Sequence, residues 1–244
     1  MEKEIDKGIL SYWTKEQVEE FDEMQRVVIP KKDEMLDIII KMIPLEKDNI
    51  KLLDIGSGLG ALTIKALERF TNAEIVCLDG SKEMLINAER RLSEYKNNLK
   101  FMEKDINKEN RFADIGHSFD TTVSSLALHY LKPSNRESFF KQLFGILNDR
   151  GGIIYSTGVE SDYPEIKNRY FAIHREFLQN QFRNIKGEEM DLGEMDKQWE
   201  EMSKKMGLCS SSVEDNLQIL KKTGFSKVEC VWKYNHYATF MAYK

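Results

Sequence analysis

The sequence predicts an α/β fold: a doubly wound, Rossmann-like sheet of seven mostly parallel strands whose last strand is antiparallel, with a helical lid beside it. Three observations carry that expectation. Between residues 51 and 159, short apolar runs alternate with longer segments of helical period, the pattern that a parallel sheet with crossover helices requires. A glycine-rich turn, Gly56 to Gly60, separates the first of these runs from the first helix. Near the C-terminus, two strand-like runs are joined too briefly for a parallel crossover, so one of them must be antiparallel.

The elements follow in order. Residues 15–43 read as helical, interrupted at Pro30, and the whole segment 1–45 is expected to cover the site. The ligand-binding core is set at 46–159. Its strands are KLLDIG (51–56), EIVCLD (74–79), LKFMEKD (99–105), SFDTTVSS (118–125) and GGIIYSTG (151–158). In the helix after the first strand, Leu62, Ala66, Leu67 and Phe70 share a face; in the next, Met84, Leu85, Ala88 and Leu92 do, with Ser81 as N-cap. A polar, Met-rich insertion, 160–212, is expected to form the lid. Residues 213–244 then supply a helix (213–222) and a hairpin, KVECVWKY and YATFMAYK, turning near Asn235-His236.

Composition narrows the function classes. The chain has 244 residues, 36 Lys and Arg against 41 Asp and Glu, and a net charge of −5. Acidic residues gather at 2–23 and 188–201, where a phosphate backbone would be repelled, so a small molecule is the expected partner and nucleic acid is not. No apolar run approaches the ~20 residues that span a bilayer, and the N-terminus lacks a signal-peptide layout; the expected location is cytoplasmic, with no membrane partner. Three cysteines, Cys77, Cys209 and Cys230, show no CxxC spacing and supply no metal framework, so no metal is expected. Nothing in the sequence decides between a monomer and a homodimer.

The most informative residues are Lys51-Leu-Leu-Asp54-Ile-Gly56-Ser57-Gly58-Leu-Gly60, a buried strand entering a turn that opens a helix. Glycines let a ligand come within contact distance of the backbone. Asp79 ends the next strand about 20 residues on, the place of a ribose-binding acid. Gly56-x-Gly58-x-x-Ala61 also satisfies the dinucleotide pattern, so a nicotinamide cofactor must be weighed. Three features favour S-adenosylmethionine instead. Asp54 at the strand mouth suits an ammonium and would repel a pyrophosphate, the third glycine is Gly60 and not residue 61, and Asp105 ends the third strand, where an adenine amino group could donate to it.

These motifs resemble those of class I S-adenosylmethionine-dependent methyltransferases over roughly residues 20–160: Asp54 to Gly60 the first motif, Asp79-Gly80-Ser81 the second, Lys104-Asp105-Ile106 the third, and Phe119-Asp120 with Ser124 to His129 the fourth. The resemblance implies S-adenosylmethionine as cofactor, a methyl transfer that leaves S-adenosylhomocysteine, and a set of cofactor contacts. In that set Gly56, Ser57, Gly58 and Gly60 lie against the methionine part and ribose, Asp79 takes both ribose hydroxyls, and Asp105 and Ile106 frame the adenine. Gly80, Ser81, Met84, Ser124, Leu126 and His129 complete the pocket. A second resemblance, to the branch containing carboxy-S-adenosylmethionine synthase, rests on Phe21-Asp22, Arg26 and Ile29-Pro30, and on Ser212 to Phe225 with the Trp232 to Ala242 ending. That family holds an extra carboxylate with an arginine in the helix corresponding to 213–222, and this helix has none, which argues for methyl transfer over the carboxymethyl chemistry.

Methyl transfer from a sulfonium releases a neutral thioether, so alignment is most of the task and a base is needed only for a protonated nucleophile. His129, just beyond the fourth strand, is a candidate base, set against a packed structural histidine. His174 is a second candidate. With Tyr170 one turn earlier it shares a face of a helix in the insertion, an aromatic substrate lining or an amphipathic packing face. Trp199 belongs with Met190, Met195, Met202 and Met206 to an apolar series, read as a substrate wall or as core. Tyr12 and Trp13 stand in a polar stretch where they could close over the cofactor or anchor the arm, and Arg26 could pair the methionine carboxylate or a surface acid.

Overall fold

The computed structural model describes residues 25, 27–44, 49–187, 191, 193, 196–197, 200–201 and 207–244. Tyr12, Trp13, Arg26, Trp199, Met190, Met195, Met202 and Met206 lie outside the described residues. In chain order the elements are α1 (Lys32–Lys41), β1 (Lys51–Ile55), α2 (Ala61–Arg69), β2 (Glu74–Asp79), α3 (Lys82–Arg91), β3 (Leu99–Glu103) and β4 (Phe119–Ser125). They continue with α4 (Arg136–Ile146), β5 (Leu147–Gly158), α5 (Pro164–Lys186), α6 (Val213–Lys222), β6 (Ser226–Tyr234) and β7 (Tyr237–Tyr243). Among the described residues no helix is long and apolar enough to cross a membrane.

The seven strands form one sheet in the order β3-β2-β1-β4-β5-β7-β6. The pairs from β3 through β5 are parallel, and β7 is antiparallel to both β5 and β6, as the short connection demanded. The strand order reverses between β1 and β4, and at such a switch point the loops leaving the C-terminal ends part and leave a crevice.

Each face of the sheet is packed. On one, Leu53, Ile55, Leu78, Phe139, Phe140, Tyr155 and Phe240 join α4 and α6 to the strands; on the other, Ile39, Ile43, Leu52, Leu62, Ala66, Cys77 and Val123 bury α1 and α2. Strands covered on both sides are buried at nearly every position, which explains why β1 and β2 read as mainly apolar runs and not as alternation, while β4 is as deeply buried with mostly hydroxyl-bearing side chains. Ser81 caps α3 by accepting from the Met84 N–H at 3.3 Å. Ser212 and Asp215 form a reciprocal capping box that starts α6.

One boundary departs from the sequence reading. β5 begins at Leu147 and not at residue 151, because Leu147 pairs with Phe119 ahead of a register shift. Asn148-Asp149-Arg150 has turn chemistry, but Asn148 Nδ2 donates to Asp120 Oδ1 at 2.7 Å, and Asp120 Oδ2 accepts from the Lys51 N–H at 2.9 Å. Asp120 therefore fastens the N-terminal ends of β1, β4 and β5, the edge away from the crevice.

Candidate functional site

The glycine turn is built by its neighbours. Gly56 and Ser57 N–H groups both donate to the Leu78 carbonyl, at 2.7 and 3.1 Å, folding the turn over the end of β2. Gly56 has φ +70°, and a Cβ there would stand 2.1 Å from the Ala127 Cβ. Glycine is thus required twice, by backbone region and by the approach of the β4 tip. Gly60, φ +81°, is the residue before α2, with the Leu92 side chain filling the place of a Cβ. The third glycine of the motif is therefore Gly60, and Ala61 is already helical.

Asp79 joins two loops. Its Oδ2 accepts from the Gly58 N–H at 2.9 Å and its Oδ1 from the Ser81 N–H at 2.8 Å, with the Gly80 N–H a third donor, which leaves the carboxylate acceptor capacity for a ligand hydroxyl. Burial raises its pKa, opposed by the N–H groups of Ser81, Gly58 and Gly80. Asp54, 1% exposed, accepts from Thr63 Oγ1 at 2.7 Å on Oδ2, while its Oδ1 is buried with no hydrogen-bond partner among the described residues. Burial pushes this carboxyl up to about 7, against the Thr63 hydrogen bond and with added repulsion from Asp79. A buried acid oxygen without a partner is costly, and an ammonium group is a donor that would satisfy it. The residues present fit a nucleoside bearing an amino acid: hydroxyl acceptors on Asp79, a close backbone cradle, and an unpaired acid.

The other motif residues converge on the same edge. Ser124 Oγ donates to the Ile55 carbonyl at 2.7 Å, which clamps β4 to β1 where they part. Asp105 Oδ1 accepts from the Asn107 N–H at 2.8 Å, setting the turn after β3, and Ile106 packs on the core beside it. His129 lies in a short 3-10 turn, Leu128–Tyr130, its ring centroid 4.4 Å from that of Tyr130, and its carbonyl accepts from the Cys209 N–H at 2.7 Å. Burial depresses its pKa to about 4, so the ring is neutral at physiological pH.

The two lid candidates stand beyond β5. His174 is buried, and its Nε2 lies 2.8 Å from the Val28 carbonyl; a carbonyl only accepts, so Nε2 carries the proton. Tyr170 receives Lys233 Nζ on its hydroxyl at 2.8 Å and Asn235 Nδ2 on its carbonyl at 3.0 Å, which ties α5 to the β6–β7 turn. The bridge between the lid cluster and the β4 tip is apolar: Leu126 and Val28 pack with Ile29, Met35 and Tyr237. Leu126 has φ +54°, held by its N–H to the Ser156 carbonyl at 2.9 Å, a strained position at the β4 mouth.

Several site-forming residues carry no readable signal in the sequence. Asn107 donates to the Tyr130 carbonyl at 2.9 Å and accepts from the Lys132 N–H at 2.8 Å, pinning the loop after β3 to the loop after β4. In the sequence Asn107, two residues after Asp105, is one polar residue among several in a loop. Thr63, one turn into α2, was hidden in an apolar face, although an oxygen-bearing side chain among Leu62, Ala66 and Leu67 was a clue to a buried polar partner.

A family model described as a methyltransferase domain matches residues 52–151. Over 225 residues, 92% of this chain and 90% of the relative, the chain is 21% identical to a carboxy-S-adenosyl-L-methionine synthase of Nautilia profundicola. Human N-acetylserotonin methyltransferase, solved in complex with SAM, aligns with a TM-score of 0.59 at 16% identity, over 95% of this chain and 56% of that one. A SAM-dependent methyltransferase from Aquifex aeolicus aligns with a TM-score of 0.57 at 13% identity, over 95% of this chain and 97% of that one.

Proposed function

We propose that this chain, whose residues 52–151 match a methyltransferase domain, is a class I S-adenosylmethionine-dependent methyltransferase that transfers a methyl group to an O, N or S nucleophile of a small molecule. The observation that carries the cofactor assignment to residues is the pair of acids at the switch point. Asp79 is positioned by the backbone N–H groups of Gly58, Gly80 and Ser81 to receive hydroxyls, and Asp54 keeps one buried oxygen for an ammonium. Bound there, the cofactor supplies an electrophilic methyl on a sulfonium, which departs as a neutral thioether and needs no acid.

The chain's contribution is then placement. The Gly56–Gly60 backbone and the Ser124 clamp fix the cradle that would hold the cofactor, with Leu126 and His129 beyond the end of β4 as the residues that would stand nearest the transferred group. Alignment of this kind supplies on the order of 7 kcal/mol or more of a bimolecular barrier. His129, neutral at physiological pH, serves an acceptor as a hydrogen-bond acceptor and takes up a proton only weakly. His174, its Nε2 bonded to Val28, acts by holding α5 against the site. Asp105 and Ile106 frame the adenine, with Ser57, Gly80 and Met84 closing the pocket. Helix α5, the main described part of the 160–212 insertion, is the proposed lid.

Carboxymethyl-cofactor synthesis is the second reading, favoured by the match to a synthase of that name along 92% of the chain. Against it, α6 has no arginine, and its buried Asn216 is engaged by the Tyr155 hydroxyl at 2.9 Å and Arg136 Nη2 at 2.7 Å. The test is calorimetric titration with S-adenosylmethionine, S-adenosylhomocysteine and NAD, repeated with Asp79→Ala. Micromolar binding of the first two, lost in the variant, is expected; binding of NAD alone refutes the assignment. Mass analysis of copurified ligand separates the second reading by its added carboxylate.

A further inference from the structure

The β6–β7 turn lies at the same sheet edge as the cofactor loops, because Gly158 at the end of β5 pairs with Tyr237, and the Val159 N–H donates to the His236 carbonyl at 2.8 Å. Asn235, φ +52°, makes the two-residue turn possible. A surface turn needs nothing more from these residues. Here, however, Asn235 Oδ1 and His236 Nδ1 are both buried and find no hydrogen-bond partner among the described residues. Buried polar atoms without partners are rare, and two adjacent ones in an otherwise well-bonded turn require an account.

Their surroundings define one. The amide of Asn235 is oriented by its Nδ2, which donates to the Tyr170 carbonyl at 3.0 Å, so the unpaired atom is an acceptor. Lys233 Nζ, 2.6 Å from the Asn235 carbonyl, is also bonded to the Tyr170 hydroxyl. Aromatic rings surround the imidazole of His236: His174 at 4.7 Å, Tyr237 at 4.3 Å and Phe171 at 6.4 Å between centroids. His174 cannot satisfy it through Nε2, which is bonded to Val28. Burial, with the charges of His174 and Lys233 adding to it, holds the His236 pKa down to about 3, so this is a neutral imidazole. Through Tyr237 the cluster is continuous with Leu126 at the β4 mouth.

We propose that Asn235 and His236 form the recognition subsite for the methyl acceptor, taking a planar, uncharged aromatic molecule whose O–H or N–H donates to Asn235 Oδ1, with His236 Nδ1 pairing as its tautomer dictates and the surrounding rings against its faces. The inference rests on the methyltransferase reading and names its substrate class. A carboxylate in the donor's place would face Asn235 Oδ1 and is rejected; an apolar ring leaves both polar atoms unpaired.

The test uses the full chain saturated with S-adenosylhomocysteine and four probes, phenol, indole, benzoate and toluene, followed by ligand-observed NMR, with the nitrogen resonances of His236 as direct report. Phenol and indole are expected to bind and to shift the Nδ1 signal, with benzoate and toluene weaker by roughly ten-fold, the size of effect expected from one buried hydrogen bond. His236→Phe keeps a ring, and Asn235→Gly keeps the left-handed backbone; each should weaken phenol by roughly ten-fold while leaving S-adenosylhomocysteine affinity unchanged. Equal binding of phenol and toluene, no probe binding, an unshifted His236 signal, or variants that bind phenol as the parent does would each overturn the subsite. Loss of S-adenosylhomocysteine binding by the parent chain would instead strike the cofactor reading, so the two failures are distinct.

Discussion

Replacing Asp54 by Asn removes a charge that the apo-protein holds at a loss. The carboxyl sits at about 7, above its ordinary 3.8, so the folded state favours the protonated form. The stability contribution is therefore full below pH 4, declines as pH rises through the window from about 4 to about 7, and is level above it. The whole shift corresponds to about 4 kcal/mol at 1.36 kcal/mol per unit, of which about 2.5 kcal/mol falls between pH 5 and pH 8. Asn keeps an oxygen for Thr63 and places an unpaired amide at the Oδ1 position, a fixed loss of about 1–3 kcal/mol that does not vary with pH. Urea unfolding of the apo forms should thus show the variant gaining on the parent by about 2.5 kcal/mol from pH 5 to pH 8, other titrating groups cancelling in the difference. Over the same range S-adenosylhomocysteine affinity of the parent should climb toward pH 7 as the acid ionises, while the variant binds weakly throughout. A stability gap constant within about 0.5 kcal/mol, or a variant that binds as well as the parent, would refute the ammonium site.

Three further substitutions test the framework. Gly56→Ala should cost at least about 3 kcal/mol and abolish S-adenosylhomocysteine binding, since the new Cβ meets Ala127 at 2.1 Å in a left-handed backbone; a melting temperature within about 2 °C of the parent would contradict this. Gly145→Ala, inside α4 with nothing within 4 Å of the new Cβ, should stabilise by about 0.5–1 kcal/mol and leave ligand binding untouched in the same calorimetric assay. Asn107→Ala removes the hydrogen bonds that join the loops after β3 and β4, and about 2 kcal/mol of stability with them. Adenosine affinity should fall alongside, and an unchanged adenosine titration would show that the pinned loops do not shape the adenine pocket.

Much of the fold was legible because covered strands and amphipathic helices write their burial into the sequence. β1 and β2 read as mainly apolar runs ending near an acid, and Ser81 marks the start of α3. The parts that were not legible depend on contacts distant in sequence. The start of β5 is set by Leu147 pairing with Phe119, and local turn chemistry at Asn148 pointed the other way. The strain at Leu126 has no signature, because leucine gives no hint of φ +54°. The glycine loop was readable for the opposite reason. Each required φ and each close approach leaves a missing Cβ, and Asp54 and Asp79 stand at fixed distances from it along consecutive strands.

The two halves of the candidate site therefore differ in how they are made. The cofactor half is local: Gly58, Asp79 and Ser81 meet through backbone hydrogen bonds at the ends of β1 and β2, so a motif within 30 residues encodes it. The proposed acceptor half draws on Val28, His174 and the β6–β7 turn, partners distant in sequence, with 146 positions between His174 and Val28 alone. In the sequence Asn235-His236 marks a tight turn and nothing else, since turn chemistry accounts for the Asn completely. Only the fold, by placing that turn beside the end of β5 and enclosing its polar atoms in aromatic rings, separates what the backbone needs from what a ligand could use. Acceptor specificity in such an arrangement can change by substitution at the turn or on α5 without disturbing the glycine loop. A single cofactor cradle can then serve many acceptors, and for the same reason the cradle's motif says nothing about which one.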